Sequence, residues 1–246
     1  MSEPTANTTQ RCPRCGQPRN PSAKFCSECG MFLRDGYIDH RLLLALVHER
    51  EGRPQEARHE LEHLLGAEPE HALAHHLLGT IYFHEGVLEE AIRHYLRAVT
   101  AAPYFVLGYY DLGVAWYHRG NMPQAAQAFR RCLEIDAHYN AAHYRLALAC
   151  FHAGELEEAL RHFEDSVRLT PEYLMAHYHM GVIHERRGNL EAAEHAFERS
   201  LEEGVGEVSS LYHLATIRRA EGDEAGSEEY LRRAHEFAPA LAGEAR

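Results

Sequence analysis

A pattern of small, large and turn-forming residues recurs every 34 residues along most of this chain. Successive copies begin at Ile38, Ala72, Val106, Asn140, Leu174 and Val208. Within each copy, apolar residues recur at spacings of three and four, which predicts two amphipathic helices. A glycine falls where the first helix has to end and turn, at Gly52, Gly86, Gly120, Gly154, Gly188 and Gly222. One helix pair cannot bury its apolar face alone, so neighbouring copies are expected to stack.

The two helices of a copy are expected to approach closely, because small residues on the first face large residues on the second. The small residues are Gly79, Gly113, Ala147 and Gly181, and the large ones are Tyr95, Phe129, Phe163 and Phe197. Cys132 and Cys150 stand alone within helical sequence and are predicted to be core residues. Prolines are expected to mark the end of the second helix, at Pro69, Pro103, Pro171 and Pro239.

This pattern resembles the tetratricopeptide repeat over residues 38–241. The resemblance implies an all-α fold, a right-handed helical solenoid of six helix-turn-helix repeats. The repeats are predicted at 38–71, 72–105, 106–139, 140–173, 174–207 and 208–241, followed by a tail at 242–246. The resemblance also implies that the first helix of each repeat lines a concave groove.

The predicted groove wall is mainly aliphatic and aromatic. The resemblance places repeat positions 2, 5, 6, 9, 12 and 13 on this wall. Its central members are Leu107, Tyr110, Asp111, Val114, Tyr117, Tyr144, Arg145, Leu148, Phe151, Tyr178, His179 and Val182. So large an apolar patch predicts an occupant: a mainly apolar peptide or helix, a second copy of the chain, or the chain's own N-terminal segment. Tyrosines at positions 5 and 12 are common in the family, so the tyrosines alone fit a structural role equally well.

Asp111, Arg145 and His179 interrupt the apolar wall at position 6. They are expected to set the register of a bound segment by hydrogen bonds or charge pairs. Recognition of chaperone C-termini, which some tetratricopeptide proteins perform, is disfavoured because it requires Lys, Asn and Arg on the inner face. The matching positions here hold Leu42, Leu46, Leu77, Leu107 and Asp111.

Histidines recur along one edge of the predicted groove at His84, His118 and His152. A shared metal site is disfavoured, because equivalent residues of neighbouring repeats stand about 10 Å apart, the usual distance between packed helices. That distance is too long for two ligands of one ion. These histidines are instead expected to adjust the charge of the groove near neutral pH.

Two Cys-x-x-Cys-Gly turns lie near the N-terminus, with cysteines at Cys12, Cys15, Cys26 and Cys29. Two such turns supply the four soft ligands of a closed tetrahedral site, which suits one structural zinc ion. Two disulfides are the disfavoured alternative, since a reducing cytosol is expected. The segment resembles the zinc-ribbon module, which implies a small β-hairpin-like fold. We predict a disordered N-terminus at 1–10, the zinc ribbon at 11–33 and a short linker at 34–37.

Charge distribution bears on the class of partner. The formal net charge is −12, which argues against broad nucleic-acid binding, because phosphate contacts depend on clustered Lys and Arg. The ribbon itself carries Arg11, Arg14, Arg19 and Lys24, so nucleic-acid association through the ribbon stays open as an alternative. No apolar run approaches the length of a membrane span, and the first ten residues are polar, so a cytoplasmic location is expected.

The sequence therefore predicts a non-enzymatic scaffold or adaptor. No set of nucleophile and base, no phosphate-binding loop and no open metal site stands out. The leading interpretation is protein–protein interaction through the groove, with the ribbon held by structural zinc. The alternatives are a nucleic-acid-associated regulatory protein that uses the ribbon and homo-oligomeric assembly through the groove.

Overall fold

The computed structural model describes residues 39–170, 174–202 and 207–243, together with Gln17. In these ranges all regular secondary structure is α-helical, as the sequence predicted. Apart from Gln17, the predicted N-terminus, ribbon and linker at 1–37 lie outside the described residues, including Cys12, Cys15, Cys26 and Cys29. None of the helices in the described ranges is both long and apolar enough to cross a bilayer.

The described helices fall into two compact units that divide after Ala137. Unit 1 contains α1 (His40–Arg50), α2 (Pro54–Ala67), α3 (Ala72–His84), α4 (Leu88–Ala101), α5 (Val106–His118) and α6 (Met122–Ile135). Unit 2 contains α7 (Asn140–Ala153), α8 (Leu156–Leu169), α9 (Leu174–Arg186), α10 (Leu190–Leu201), α11 (Glu207–Ala220) and α12 (Glu224–Gly243). Odd-numbered helices are the first helices of the repeats, and even-numbered helices are the second.

A left-handed glycine ends the first helix of each repeat. All six turn glycines have φ between 71° and 85°, a conformation that strains any residue with a Cβ. At the end of α5, the Gly120 N–H donates to the Tyr117 carbonyl at 2.9 Å, and the Asn121 N–H donates to the Trp116 carbonyl at 3.0 Å. The Asn121 side chain then accepts from the Gln124 N–H at 3.3 Å and caps α6. One short segment thus ends one helix and starts the next.

The small residue on each first helix makes room for a large ring on the second. A Cβ placed on Gly113 would lie 2.6 Å from Phe129 Cε1, and one on Gly181 would lie 2.6 Å from Phe197 Cε1. Both rings are fully buried. In repeat 4 the small residue is Ala147, so that repeat accommodates a methyl group at the same point. Close helix packing therefore depends on the size of this one side chain.

Neighbouring repeats within a unit share apolar cores. In unit 1, Ile92, Tyr95 and Val99 of α4 form one cluster with Leu112 and Ala115 of α5. In unit 2, Phe197 of α10 forms another with Leu214 and Ile217 of α11. Within each unit, these repeats thus bury apolar faces against the next repeat, as expected for stacked repeats.

The isolated cysteines are core residues, as predicted. Cys132 of α6 and Cys150 of α7 are both fully buried. Burial raises the pKa of the Cys132 thiol to about 12, so it stays protonated at neutral pH. These two thiols serve as small apolar side chains.

The prediction that prolines end the second helices holds in part. Pro69 and Pro103 lie just beyond the ends of α2 and α4, and Pro171 lies outside the described residues. Pro239 was wrongly expected to end the last helix, because α12 continues to Gly243. A proline inside a helix removes one backbone hydrogen bond and favours a bend, but it does not by itself stop the helix.

Candidate functional site

The predicted wall residues form one surface in each unit. The α3–α5 surface comprises Leu73, Leu77, Thr80, Phe83, Leu107, Tyr110, Asp111, Val114 and Tyr117. The α7–α9 surface comprises Tyr144, Arg145, Leu148, Phe151, Tyr178, His179 and Val182. On each helix these residues recur at spacings of three and four, which places them along one helix face.

Exposed apolar side chains concentrate at the predicted wall positions. Within the described residues, seven large apolar side chains are exposed. Four occupy wall positions of first helices: Leu43, Leu46, Leu107 and Tyr212. The other three, Val87, Leu96 and Tyr104, lie in turns or on a second helix. Since the wall takes up only six of 34 positions in a repeat, this enrichment distinguishes the first-helix face from the other described residues. Of the four, Leu107 belongs to the α3–α5 surface, whereas Leu43 and Leu46 lie on α1 and Tyr212 lies on α11.

On the α3–α5 surface, the carboxylate at position 6 contacts a histidine of the preceding repeat. His76 Nε2 lies 2.7 Å from Asp111 Oδ2. The His76 ring is buried and lies edge-on to Phe105, with 5.0 Å between ring centroids. Sequence reasoning placed Asp111 on the wall but missed its partner. The available signal was a basic residue at position 5 followed, one repeat later, by an acid at position 6.

On the α7–α9 surface, His179 lies within a group of aromatic rings. It stacks on Phe163 with 5.3 Å between centroids and 12° between planes. Its centroid also lies 5.4 Å from that of Tyr178, 5.6 Å from Phe151 and 6.4 Å from Tyr144. Burial, with a smaller effect of the His152 charge, lowers the pKa of His179 to about 4. His179 is therefore a neutral aromatic group at neutral pH.

The same stacking recurs in the next repeat of unit 2. His213, at position 6 of repeat 6, stacks on Phe197 with 4.7 Å between centroids and 8° between planes. His213 Nδ1 also lies 2.8 Å from Glu185 Oε2. A histidine at position 6 that follows a phenylalanine at position 24 of the preceding repeat is the sequence signal for this contact.

Two other members of the α7–α9 surface, Leu148 and Phe151, differ in how exposed their side chains are. Leu148 is only 8% exposed, so it supports the surface from beneath. Phe151 is half-buried, and the Arg186 guanidinium carbon lies 4.7 Å from its ring centroid. That distance suits a cation–π contact and places a positive charge beside the aromatic group.

The histidines at the edge of the predicted groove are all exposed. His84, His118 and His152 each end the first helix of a repeat or lie within its last turn. In unit 1, the His118 ring contacts Phe83 edge-on at 5.3 Å between centroids. A role in adjusting surface charge near neutral pH stays a prediction.

Models of two families match the chain. Residues 42–104, 106–140 and 178–242 match one model of the tetratricopeptide repeat, and residues 139–202 match another. Residues 11–33 match the zinc-ribbon domain. Both resemblances noted in the sequence are confirmed. No curated protein matches the chain.

Solved structures with similar folds include MamA, PilF and YrrB. MamA 41-end from Desulfovibrio magneticus RS-1 is 20% identical, with a TM-score of 0.65 over 69% of this chain and 96% of that chain. PilF of Pseudomonas aeruginosa is 19% identical, with a TM-score of 0.65 over 82% and 91%. YrrB, described as a TPR protein with an unusual peptide-binding site, is 18% identical, with a TM-score of 0.65 over 73% and 92%. At these identities the likeness shows the fold alone.

Proposed function

The chain belongs to the tetratricopeptide repeat family, and on that premise we propose that it is a protein–protein interaction scaffold that binds a mainly apolar peptide or helix. The α3–α5 and α7–α9 surfaces are the proposed binding surfaces. The exposed Leu107 and the half-buried aliphatic and aromatic side chains at the wall positions of these first helices carry this proposal. YrrB supports it, because a protein of the same fold has a peptide-binding site.

The proposed contacts on the α3–α5 surface centre on Leu107, with the half-buried Tyr110, Val114 and Tyr117 around it. The proposed contacts on the α7–α9 surface are the half-buried rings of Tyr144, Phe151 and Tyr178, with Val182 beside them. Burial of each such anchor contributes roughly 1.5–3 kcal/mol before ordering costs. Aliphatic and aromatic side chains on the ligand are the natural complement of these surfaces.

The charged groups near the two surfaces bear on register rather than on overall affinity. The Asp111 carboxylate is already paired with His76, and His179 is neutral near pH 7. Arg145 and Arg186 are the cations that a carboxylate on the ligand would meet. Because the proposed affinity is largely apolar, it should depend only weakly on salt.

A matched pair of leucine variants tests the proposal. Leu107→Ser changes an exposed leucine on the wall, whereas Leu96→Ser changes an equally exposed leucine on a second helix. The probes are two fluorescein-labelled synthetic peptides of equal composition, one with its Leu and Phe residues on one helical face and one scrambled. Fluorescence anisotropy with the full chain should show tighter binding of the amphipathic peptide. L107S should weaken this binding about tenfold, consistent with loss of one buried anchor, and L96S should leave it unchanged.

Equal weakening by L96S, or equal affinity for the amphipathic and the scrambled peptide, would contradict the proposal. Light scattering of the wild type and L107S tests the remaining possibility, which is self-association through the wall. If the wild type is a dimer that L107S converts to a monomer, the wall is a self-association surface.

We further propose that Cys12, Cys15, Cys26 and Cys29 hold one structural zinc ion. The donor set fits a closed tetrahedral thiolate site, and the match to the zinc-ribbon model over 11–33 supports it. The other two cysteines are buried in α6 and α7, so the four N-terminal thiols are the available ones. Elemental analysis after treatment with a chelating resin should give one tightly held zinc ion per chain, lost in Cys26→Ser. Less than about half an equivalent, with these four thiols paired as disulfides, would refute the assignment.

A further inference from the structure

Repeats 2 and 4 each place two histidines face to face between their own two helices. In repeat 2, Nδ1 of His75 on α3 lies 3.0 Å from Nδ1 of His94 on α4. In repeat 4, Nδ1 of His143 on α7 lies 3.0 Å from Nδ1 of His162 on α8. The ring centroids stand 5.3 Å and 5.2 Å apart. Two nitrogens this close share either a proton or a cation.

The two pairs differ in the residue one turn further along the second helix. Repeat 4 has Asp165 there, and repeat 2 has Arg97 at the equivalent position. Asp165 Oδ2 lies 3.8 Å from His143 Nδ1 and 4.0 Å from His162 Nδ1. One pair therefore has a carboxylate beside it, and the other has a guanidinium that disfavours any further cation.

The three ligand atoms of repeat 4 have the spacing of a transition-metal site. One atom each from His143, His162 and Asp165 falls within a group whose members lie within 4.8 Å of one another. Zinc binds imidazole nitrogen and carboxylate oxygen at about 2.0–2.2 Å, which sets tetrahedral ligands about 3.3 Å apart. The observed separations of 3.0, 3.8 and 4.0 Å bracket that value. Small rotations of the Asp165 side chain, which is about one-third exposed, would close the difference.

The surroundings orient two of the three side chains. Glu158 Oε1 lies 3.8 Å from His162 Nε2, which favours a proton on Nε2 and leaves Nδ1 as a lone-pair donor. Arg168 lies 2.5 Å from the other Asp165 oxygen, Oδ1. That contact fixes the carboxylate and opposes an added cation, so the site should have moderate affinity.

We propose that His143, His162 and Asp165 form a metal site within repeat 4 for a divalent transition-metal ion such as zinc. Two imidazoles and one carboxylate suit this class of ion, and three protein ligands leave a fourth position for water or a partner's side chain. This site is separate from the ribbon. Its ligands come from the two helices of one repeat. The distance of about 10 Å between equivalent residues of neighbouring repeats therefore does not apply to it.

The test uses the full chain without a histidine tag, loaded with zinc in the ribbon and dialysed free of excess metal. Cobalt(II) is the probe, followed by calorimetry and by its visible absorption. The wild type should bind one equivalent of cobalt, with a tetrahedral visible spectrum and no thiolate-to-cobalt charge-transfer band. Absence of that band shows that the ribbon cysteines are not the ligands.

Four variants define the site. Asp165→Asn and His162→Gln should each lower cobalt affinity by about tenfold or more. His94→Gln should not change it, and Arg97→Asp should add a second equivalent in repeat 2. Thermal unfolding followed by circular dichroism checks that each variant is folded. The proposal fails if D165N and H162Q bind cobalt as the wild type does, or if H94Q loses as much, since binding would then be spread over the chain's 20 histidines.

Discussion

The α3–α5 and α7–α9 surfaces use the same repeat positions but fill position 6 with different chemistry. On the first, Asp111 pairs with His76 of the preceding repeat at 2.7 Å. On the second, His179 stacks on Phe163 of the preceding repeat at 5.3 Å. In both cases position 6 joins adjacent repeats, through a hydrogen bond in unit 1 and an aromatic stack in unit 2. The repeat thus determines the position of the side chain, and the residue type determines which kind of contact it makes with the preceding repeat.

The two surfaces also differ in the side chains that a partner could contact. Leu107, at position 2, is 40% exposed on the α3–α5 surface, whereas Leu148, at position 9, is 8% exposed on the α7–α9 surface. Unit 1 therefore presents an exposed aliphatic anchor beside its aromatic rings, and unit 2 presents half-buried aromatic rings near Arg186.

Removal of the buried ring beneath each surface should have the largest effect. Phe129→Ala and Phe163→Ala should each lower the free energy of unfolding by about 3–5 kcal/mol, measured by urea denaturation. Only F163A should also raise the pKa of His179 toward its ordinary value, because Phe163 is the ring on which His179 stacks. A titration of the histidine signals by NMR measures this. An unchanged His179 pKa in folded F163A would show that the stack does not control the environment of this imidazole.

Exchange of the small residue opposite these rings should have the next largest effect. Gly113→Ala forces a methyl group against Phe129 and should lower the free energy of unfolding by about 1–3 kcal/mol. The reverse change in unit 2, Ala147→Gly, should cost only about 0.5–1 kcal/mol, from the helix propensity of glycine. Urea denaturation of both variants compares them, and equal costs would mean that the two repeats do not differ in packing at this point.

Acid should weaken the His179 stack of unit 2. Because the pKa of His179 is about 4 in the folded chain and near 6.5 when unfolded, the unfolded state binds the proton first. Its contribution to stability is present above pH 6.5 and is lost as the pH falls from 6.5 toward 4. The free energy of unfolding of the wild type, relative to His179→Phe, should fall by about 1–2 kcal/mol between pH 7 and pH 5. A constant difference over this range would contradict a buried neutral imidazole.

The smallest effect is expected at the edge of the α7–α9 surface. Arg186→Ala removes the cation over Phe151 and should lower the free energy of unfolding by about 0.5–1 kcal/mol. Arg186→Lys should retain part of this contribution, because it keeps the charge. Thermal unfolding monitored by circular dichroism measures both, and identical values for the two variants would show that the contact contributes nothing.

Much of the fold could be predicted from the sequence because its determinants are local and repeated. Glycines such as Gly120 mark turns that require positive φ, and pairs such as Gly113 and Phe129 report helix packing. Whether α12 ends at Pro239 could not be predicted in the same way. Whether a helix continues past a proline depends on the surrounding backbone, which the residue type does not specify.

The candidate surfaces could be placed from the sequence, but their internal contacts could not. Asp111 and His76 are 35 residues apart, and their pairing depends on the stacking of one repeat on the next. The His143–His162 pair joins two different positions of one repeat, and a comparison of equivalent positions in neighbouring repeats does not reveal such a contact. In both cases the missing information was which helix faces meet.

Photo-cross-linking locates a bound peptide on the chain and so tests whether first helices form the binding surfaces. A synthetic amphipathic peptide with a photoreactive phenylalanine analogue on its apolar face is bound to the full chain, irradiated, and mapped by mass spectrometry. Cross-links are expected on first helices, on α3 and α5 near Leu107 and on α7 and α9 near Tyr144 and Tyr178. Cross-links that fall instead on the second helices α4, α6, α8 or α10 would contradict this expectation.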